Sequence, residues 1–454
     1  MVWQVYSPTT GALLDTYRFW DDSAVERALQ GAWSRAQSWA AAPLTERVAL
    51  LQRLADRLQQ EREVHALRIV TEMGKPIAEA RAEIDKCAWV CRWYADQGPA
   101  WLEDTAVMTD ARRSLVQTRP LGVLLAIMPW NFPYWQVFRC LAPALLVGNV
   151  MLLKHAPQVM GVARAIEELV QVSAGGSAWL TALWVDTGAV PGLIADPRVA
   201  ALTLTGSERA GRAVGAAAGA ALKPSVLELG GSNPVLVLDD ADVERVADAV
   251  AHGRLLNAGQ SCIADKRLIV ARSRYDQVVE ALIARFASWR VGDPMAETTQ
   301  MGPLVHVAAR AQLEDQLGSA QERGAYTLVG GAALPGPGAW FPPTLVAGVC
   351  PESPVWVEET FGPLLPVLPF DHEDQALALA NASRFGLGAS VYSADPERAA
   401  RCAEHLHVGS VAINTFVRSD PRLPFGGVKA SGYGRELARE GLWAFANRKV
   451  LWQA

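Results

Sequence analysis

Strand-like apolar runs separated by helix-length segments are the strongest constraint this chain places on its fold. Val123 to Met128, Val150 to Leu153, Ala182 to Val185 and Val199 to Thr205 come in that order, with a helical stretch between successive runs. A run that is apolar at every position suits a strand buried on both faces, and such strands belong to parallel sheets covered by helices. Strand and helix in alternation predict a doubly wound α/β layer. The segment from Gly230 to Gly409 repeats the alternation with its own turns, so a second layer of the same kind is expected. The first hundred residues read as helical covering material. Asp21-Asp22-Ser23 opens one helix, and Leu50, Leu51, Leu54, Leu58, Leu67 and Val70 recur at helical spacing before Gly74-Lys75-Pro76 breaks the pattern.

Length and charge narrow the partners. At 454 residues the chain has room for two or three domains, and 50% hydrophobic with 20% charged residues is ordinary for a globular protein with large cores. A formal net charge of −5, with Arg and Lys scattered, gives nucleic acid or an acidic membrane no basic block to bind. The apolar stretch Leu121 to Leu153 is broken by Pro129, Asn131, Pro133, Arg139, Pro143 and Asn149, which excludes a membrane span there. The start, MVWQVYSPTTG, lacks the basic and apolar regions of a signal peptide. Cys87, Cys91, Cys140, Cys262, Cys350 and Cys402 show no disulfide-framework spacing, so a reducing, cytoplasmic location is expected. His405 and His407 alternate without acids or cysteines at ligand spacing, and no metal site is expected.

Chemistry concentrates between Val226 and Cys262. Glu228 ends an apolar run directly before Gly230-Gly231, and Gly259-Gln260-Ser261-Cys262 is a tight turn presenting a thiol. A carboxylate and a cysteine at the two ends of one βα unit can face each other. A thiol nucleophile and a base that activates water are what covalent acyl chemistry requires. Upstream, Thr205-Gly206-Ser207 joins a strand to the helix ERAGRAVGAAAGAAL, which places free backbone N–H groups at a helix start, an anion site in principle. The spacing is neither GxGxxG nor a P-loop.

The phrases PWNFP, TLTGS, LELGGSNP, GQSC, EETFGP and PFGGVKASG, in this order over about three hundred residues, resemble the aldehyde dehydrogenase superfamily. WNFPYWQVFR, LLKHAP and the RSD phrase near Asp420 are most similar to its short bacterial succinate-semialdehyde dehydrogenases. The resemblance implies two doubly wound, Rossmann-like α/β domains plus a small β element for oligomerisation. Residues 1–106 and 121–228 would form the cofactor-binding domain and 229–409 the catalytic thiol domain. Residues 107–120 and 437–454 would supply the oligomerisation strands, and 410–436 would return to the cofactor domain and the substrate tunnel. By motif, Cys262 is the implied nucleophile, Glu228 the general base and Asn131 the oxyanion donor. Trp130, Lys154, Gly206, Ser207, Leu229, Gly230, Glu359 and Phe361 match cofactor-contacting positions, with Glu359 on the nicotinamide ribose. The implied cofactor is NAD or NADP, and the implied assembly a homodimer or homotetramer.

Specificity is the finer question. Gln136 and Arg139 are three apart on one helix and share a face. A buried Arg needs an anion, and a substrate with a distal carboxylate supplies one. In the dehydrogenases it resembles, the matching Gln, Arg and a Ser, here Ser419, bind that carboxylate. The expected reaction is therefore oxidation of succinate semialdehyde, or a close anionic aldehyde, to the acid. A general aldehyde dehydrogenase in which Arg139 pairs with an acid of the protein stays open, as does, more remotely, a cofactor-free thiol hydrolase using Cys262 with His252. Arg418 adds a second cation beside Ser419. After Lys154 the chain reads His155-Ala156-Pro157-Gln158, with no acid to hold an adenosine 2′-hydroxyl and no hydroxyl to bind a 2′-phosphate, which leaves both cofactors open.

Overall fold

The computed structural model describes residues 2–454. Two sheets carry the architecture. The first has six strands in the order Gly432–Tyr433, Ser225–Glu228, Val199–Thr205, Val123–Met128, Val150–His155 and Leu180–Ala182. All neighbours are parallel except Gly432–Tyr433, which closes one edge antiparallel to Ser225–Glu228. The second has seven strands: Tyr326–Val329, Thr344–Ala347, Leu364–Phe370, Asp265–Ala271, Asn233–Val237, Gly388–Tyr392 and Ser410–Ile413. Only Tyr326–Val329 runs antiparallel. The apolar runs are buried as their composition dictates: Val123, Leu124, Leu125, Ala126, Leu152 and Leu153 are each 1% exposed or less. The second sheet continues past residue 409, because Ser410–Ile413 pairs in parallel register with Gly388–Val391.

The helix Trp135–Val147 is the hub of the first layer. Every residue in it is buried, so it must be capped from within the protein. Glu83, on the helix Ile77–Leu102, does this: its Oε1 accepts from the N–H groups of Tyr134 and Trp135 at 2.8 and 3.0 Å. A carboxylate suits the positive end of a helix, and Lys75 neutralises its other oxygen in a buried ion pair. The helix ends on Gly148 in the left-handed conformation. These contacts fix the PWNFP turn, which lies between the strand Val123–Met128 and this helix, relative to the rest of the layer.

A third, antiparallel sheet of Ala446–Gln453, Arg113–Pro120 and Thr105–Ala106 stands apart. Val450 and Trp452 on it are about two-thirds exposed. No helix among the described residues is long and apolar enough to cross a membrane, and all six cysteines are free thiols.

Candidate active site

The turn before Cys262 is strained and heavily braced. Asn257, Ala258 and Gly259 take left-handed φ values of 56°, 54° and 70° in succession. Each of the two non-glycine residues costs ~1–2 kcal/mol in that region. The bracing is buried hydrogen bonding. The Asn257 N–H donates to Glu79 at 2.9 Å, and its side-chain amide donates to the carbonyls of Asn131 and Gln260 at 2.8 and 3.1 Å. Gln260 donates to the Asn257 carbonyl and accepts from the Val305 N–H. At Gly259 a Cβ would lie 2.3 Å from the Gly362 carbonyl oxygen. The cysteine turn therefore packs directly on the TFGP turn, which explains the glycine at 259, while a Cβ on Gly362 would meet the Leu313 side chain.

The double glycine after Glu228 has a similar cause. A Cβ on Gly230 would lie 2.2 Å from Glu359 Oε2, and one on Gly231 would lie 2.7 Å from the Cys262 carbonyl oxygen. Three phrases far apart in sequence meet at this point. Lys266 ties them together: its ammonium donates to the carbonyls of Gly231 and Cys262 at 2.8 and 3.1 Å and pairs with Glu359 at 2.5 Å. Glu359 Oε1 also accepts from the Gly231 N–H at 3.1 Å.

Asn131 is buried beside the thiol turn. Its amide donates to the Gln260 carbonyl at 2.9 Å, and its own carbonyl oxygen accepts from Gln136 Nε2 at 3.1 Å. With its oxygen held by Gln136, the Asn131 amide nitrogen faces the Cys262 side, and one of its two N–H groups remains for a substrate oxygen.

Glu228 is 2% exposed, and neither carboxylate oxygen has a hydrogen-bond partner in the protein. Such a group is costly to ionise. Burial raises its pKa well above the usual carboxylate range; Arg139 opposes the rise and Glu436 adds to it. Cys262 is pushed up to about 11 by burial, with Lys266 and Arg139 pulling the other way. At neutral pH the site thus holds a thiol and a carboxyl that is a stronger base than usual.

A cleft of about 700 Å³ collects most of the residues singled out from the sequence. Trp130, Asn131, Gln136, Gly206, Ser207, Glu228, Leu229, Gly230, Cys262, Glu359 and Phe361 all line it. Ser207 caps the helix Glu208–Ala220 by accepting from the Ala210 N–H, so the free N–H groups of that helix start open on the cleft. Arg212 and Arg384 stand at the same end. At the other end Trp130 and Phe361 meet edge to face, centroids 5.7 Å apart, beside Cys262. An anion-binding helix start, a carboxylate and an aromatic pair leading to a thiol fit a dinucleotide whose pyrophosphate lies at one end and whose nicotinamide lies at the other.

Three residues fall elsewhere. Arg139, expected to meet a substrate carboxylate, lies outside the cleft lining: its guanidinium forms a buried ion pair with Glu436, donates to Thr205 Oγ1 at 3.0 Å and sits over the Phe425 ring. With side chains 2% and 1% exposed, the pair satisfies the Arg charge internally. Gln136 does reach the cleft, but its N–H goes to Asn131. Ser419 is buried and accepts from Lys86 at 2.7 Å. Lys154 is the penultimate residue of its strand and is buried outside the cleft lining. His252 packs against Trp289 and Phe416 and makes no hydrogen bond to Cys262, so the thiol has no imidazole partner of the kind a hydrolase needs. No cluster of metal-binding side chains occurs among the described residues. Sequence reasoning missed Lys266, Glu436, Asn257 and Lys86. The one signal for Lys266 was a DKR triplet entering an otherwise apolar strand.

Residues 2–451 match the model of the aldehyde dehydrogenase family. A probable NADP+-type succinate-semialdehyde dehydrogenase of Synechocystis is 43% identical over 448 residues, 99% of each chain. An NAD(P)+-type succinate semialdehyde dehydrogenase of Escherichia coli is 42% identical over 98% of this chain and 97% of its own. The crystal structure of succinic semialdehyde dehydrogenase from Streptococcus pyogenes in complex with NADP+ superposes with a TM-score of 0.97 at 38% identity, covering 99% of both chains.

Proposed function

The chain belongs to the aldehyde dehydrogenase family, and we propose that it oxidises succinate semialdehyde, or a close aldehyde with a distal carboxylate, to the acid with NAD or NADP. The relatives named above, acting on that substrate with either cofactor, support the reading. The observation that carries the chemistry is an unpartnered buried carboxyl, Glu228, on the same cleft as the Cys262 thiol and the braced Asn131 amide.

The residues act in sequence. Cys262 releases its proton to solvent, and Lys266 and Arg139 favour the thiolate electrostatically. The thiolate adds to the aldehyde carbon. The oxygen that becomes negative is met by the free Asn131 N–H and the backbone N–H of Cys262, donors of a kind that contribute about 3–4 kcal/mol. When bound, the nicotinamide supplies the hydride acceptor for the oxidation. The ring would lie between Trp130, Phe361 and the thiol, with its ribose on Glu359, which Lys266 and the Gly231 N–H hold in place. Glu228 then draws a proton from the water that attacks the Cys262 thioester, and the acid departs.

One part of the alternative reading has a specific observation behind it: Arg139 forms a buried ion pair with Glu436. We assign the six-stranded layer with the N-terminal helices to cofactor binding and the seven-stranded layer to the thiol. The exposed apolar residues of the three-stranded sheet are proposed to join subunits into a dimer or tetramer in the cytoplasm. The test of the substrate reading is reduction of NAD and NADP, followed in parallel with succinate semialdehyde and with butanal. A clear preference for the charged aldehyde is expected; equal turnover of both would refute it.

A further inference from the structure

The first two turns of the helix Ile77–Leu102 touch both catalytic turns. Glu83 accepts from the N–H groups of Tyr134 and Trp135, directly after the PWNFP phrase that carries Asn131. Glu79, one helical turn earlier, accepts from the Asn257 N–H at 2.9 Å, at the start of the turn that carries Cys262. Lys75 stands before both. It pairs with Glu83 and lies over the Phe132 ring, 3.8 Å from the centroid. This end of the helix is itself fixed: the Ile77 N–H donates to the Pro294 carbonyl at 2.8 Å, and Gly302 packs closely on the Gly74 carbonyl.

The Glu79 bond falls where the thiol turn most needs holding. Asn257 has a left-handed φ of 56°, a conformation that a non-glycine residue keeps only when its surroundings impose it. Asn257 is buried, and a buried N–H left unmatched is costly. Its side-chain amide carries the link onward to the carbonyls of Asn131 and Gln260. The Asn131 amide donates to the same Gln260 carbonyl. A chain of hydrogen bonds therefore runs from Glu79 through Asn257 to the oxyanion donor and to the residue two before the thiol.

We propose that Glu79 is a positioning residue for the thiol: it holds Asn257 in its left-handed conformation and so keeps Cys262 in place against the Asn131 amide. The inference rests on the reading of Cys262 as nucleophile and Asn131 as oxyanion donor. The charge on Glu79 matters, because an N–H bonds an ionised acceptor more strongly than a neutral one. Burial pushes the half-buried Glu79 carboxyl up to about 7; Lys75 and the Asn257 N–H oppose the rise and Glu83 adds to it. The other charges at this end face elsewhere. Arg81 pairs with Glu63 and with Glu297 of the segment packed on the helix start, and residues 257–261 bring no charge. The hold is strongest with Glu79 ionised and weakens as pH falls through about 7.

The test is a double-variant cycle on kcat/KM for succinate semialdehyde with saturating NADP or NAD. It uses wild type, Glu79→Ala, Asn131→Ala and the double variant, with Glu79→Gln measured across pH. Losing a hydrogen bond to a charged group is worth about a 10- to 100-fold change, and Glu79→Ala is expected to lose that factor. In the Asn131→Ala background the same change should cost about threefold or less, since the thiol then has no donor to be placed against. Glu79→Gln keeps an acceptor for the Asn257 N–H and should recover part of the loss. The wild-type to Glu79→Gln ratio should rise from about 1 near pH 6 to about 3- to 10-fold near pH 8; Glu228 is present in both proteins and cancels. Losses that simply multiply in the double variant, or a ratio flat with pH, would overturn the assignment. Should Glu79→Ala not fold, the pH dependence of the Gln ratio decides alone. An Asn131→Ala protein as active as wild type would sink the oxyanion reading, and this inference with it.

Discussion

Replacing Glu436 by Gln separates the structural and chemical roles of the Arg139 ion pair. Both side chains are almost wholly buried, and removing one partner of such a pair costs about 3–5 kcal/mol, because the other charge is left unmatched. Gln keeps the shape and can still accept from Thr203, whose hydroxyl reaches Glu436 at 3.2 Å, so the lower end, ~3 kcal/mol, is expected. At about 2–4 °C per kcal/mol for domains of this size, the melting temperature should drop by ~6–12 °C. The second effect is electrostatic. Glu436 helps to raise the pKa of Glu228, and Arg139 opposes it. With Glu436 neutral, Arg139 acts on Glu228 alone, and Glu228 loses its proton at lower pH. Thioester hydrolysis needs Glu228 ionised, so the acid limb of the kcat profile should move to lower pH in the variant. Thermal melts and kcat profiles across the acid and neutral range measure both. An unchanged melting temperature, or an acid limb that stays put or moves up, would refute the reasoning. Replacing both Arg139 and Glu436 by Met should recover most of the lost stability, since the unpaired charge is then gone.

Other outcomes follow from the same geometry. Glu228→Gln should slow thioester hydrolysis by about 10²–10⁴-fold, seen as a burst of reduced cofactor followed by a slow steady state. The same variant carries a linkage signature. Because the folded-state pKa of Glu228 is raised, its protonated form stabilises the native state below the ordinary carboxylate pKa, and that stabilisation is lost as pH rises through the folded value. The Gln variant should match wild type in acid and exceed it in stability at alkaline pH, by urea unfolding at each pH. Asn131→Ala should lower kcat by about 10²–10³-fold with the larger effect on turnover than on KM, by steady-state kinetics. Gly259→Ala places a Cβ against the Gly362 carbonyl at a left-handed position, so both melting temperature and the rate of Cys262 alkylation should change, while an alanine at Gly219, which meets nothing within 4 Å, should leave both alone.

Local phrases made the catalytic centre legible and long-range pairing hid the rest. Cys262 and Glu228 stand next to glycines whose necessity is steric and local, so the turn could be read before its partners were known. The strands were equally readable, because Val123–Met128 and Asn233–Val237 are apolar at nearly every position and buried on both faces. Arg139 was different. The spacing of Gln136 and Arg139 correctly places both on one helix, but only the fold shows Glu436, 297 residues away in sequence by subtraction of the two numbers, beneath the guanidinium. Lys266 was hidden for the same reason: its partner Glu359 arrives from another strand connection. Lys86 lies in an amphipathic helix where a lysine ordinarily means a solvated face, and nothing local marks it as facing Trp135 and Ser419. The short edge strand Ser410–Ile413 carries too few residues to announce which sheet it joins.

The most direct test of covalent catalysis at Cys262 is mass spectrometry of the Glu228→Gln protein quenched after mixing with succinate semialdehyde and cofactor. A succinyl adduct confined to the Cys262 peptide, absent without cofactor, is the predicted result. An adduct on another cysteine, or full turnover with Cys262 never modified, would contradict the assignment of this thiol and of Glu228 as the base that releases it.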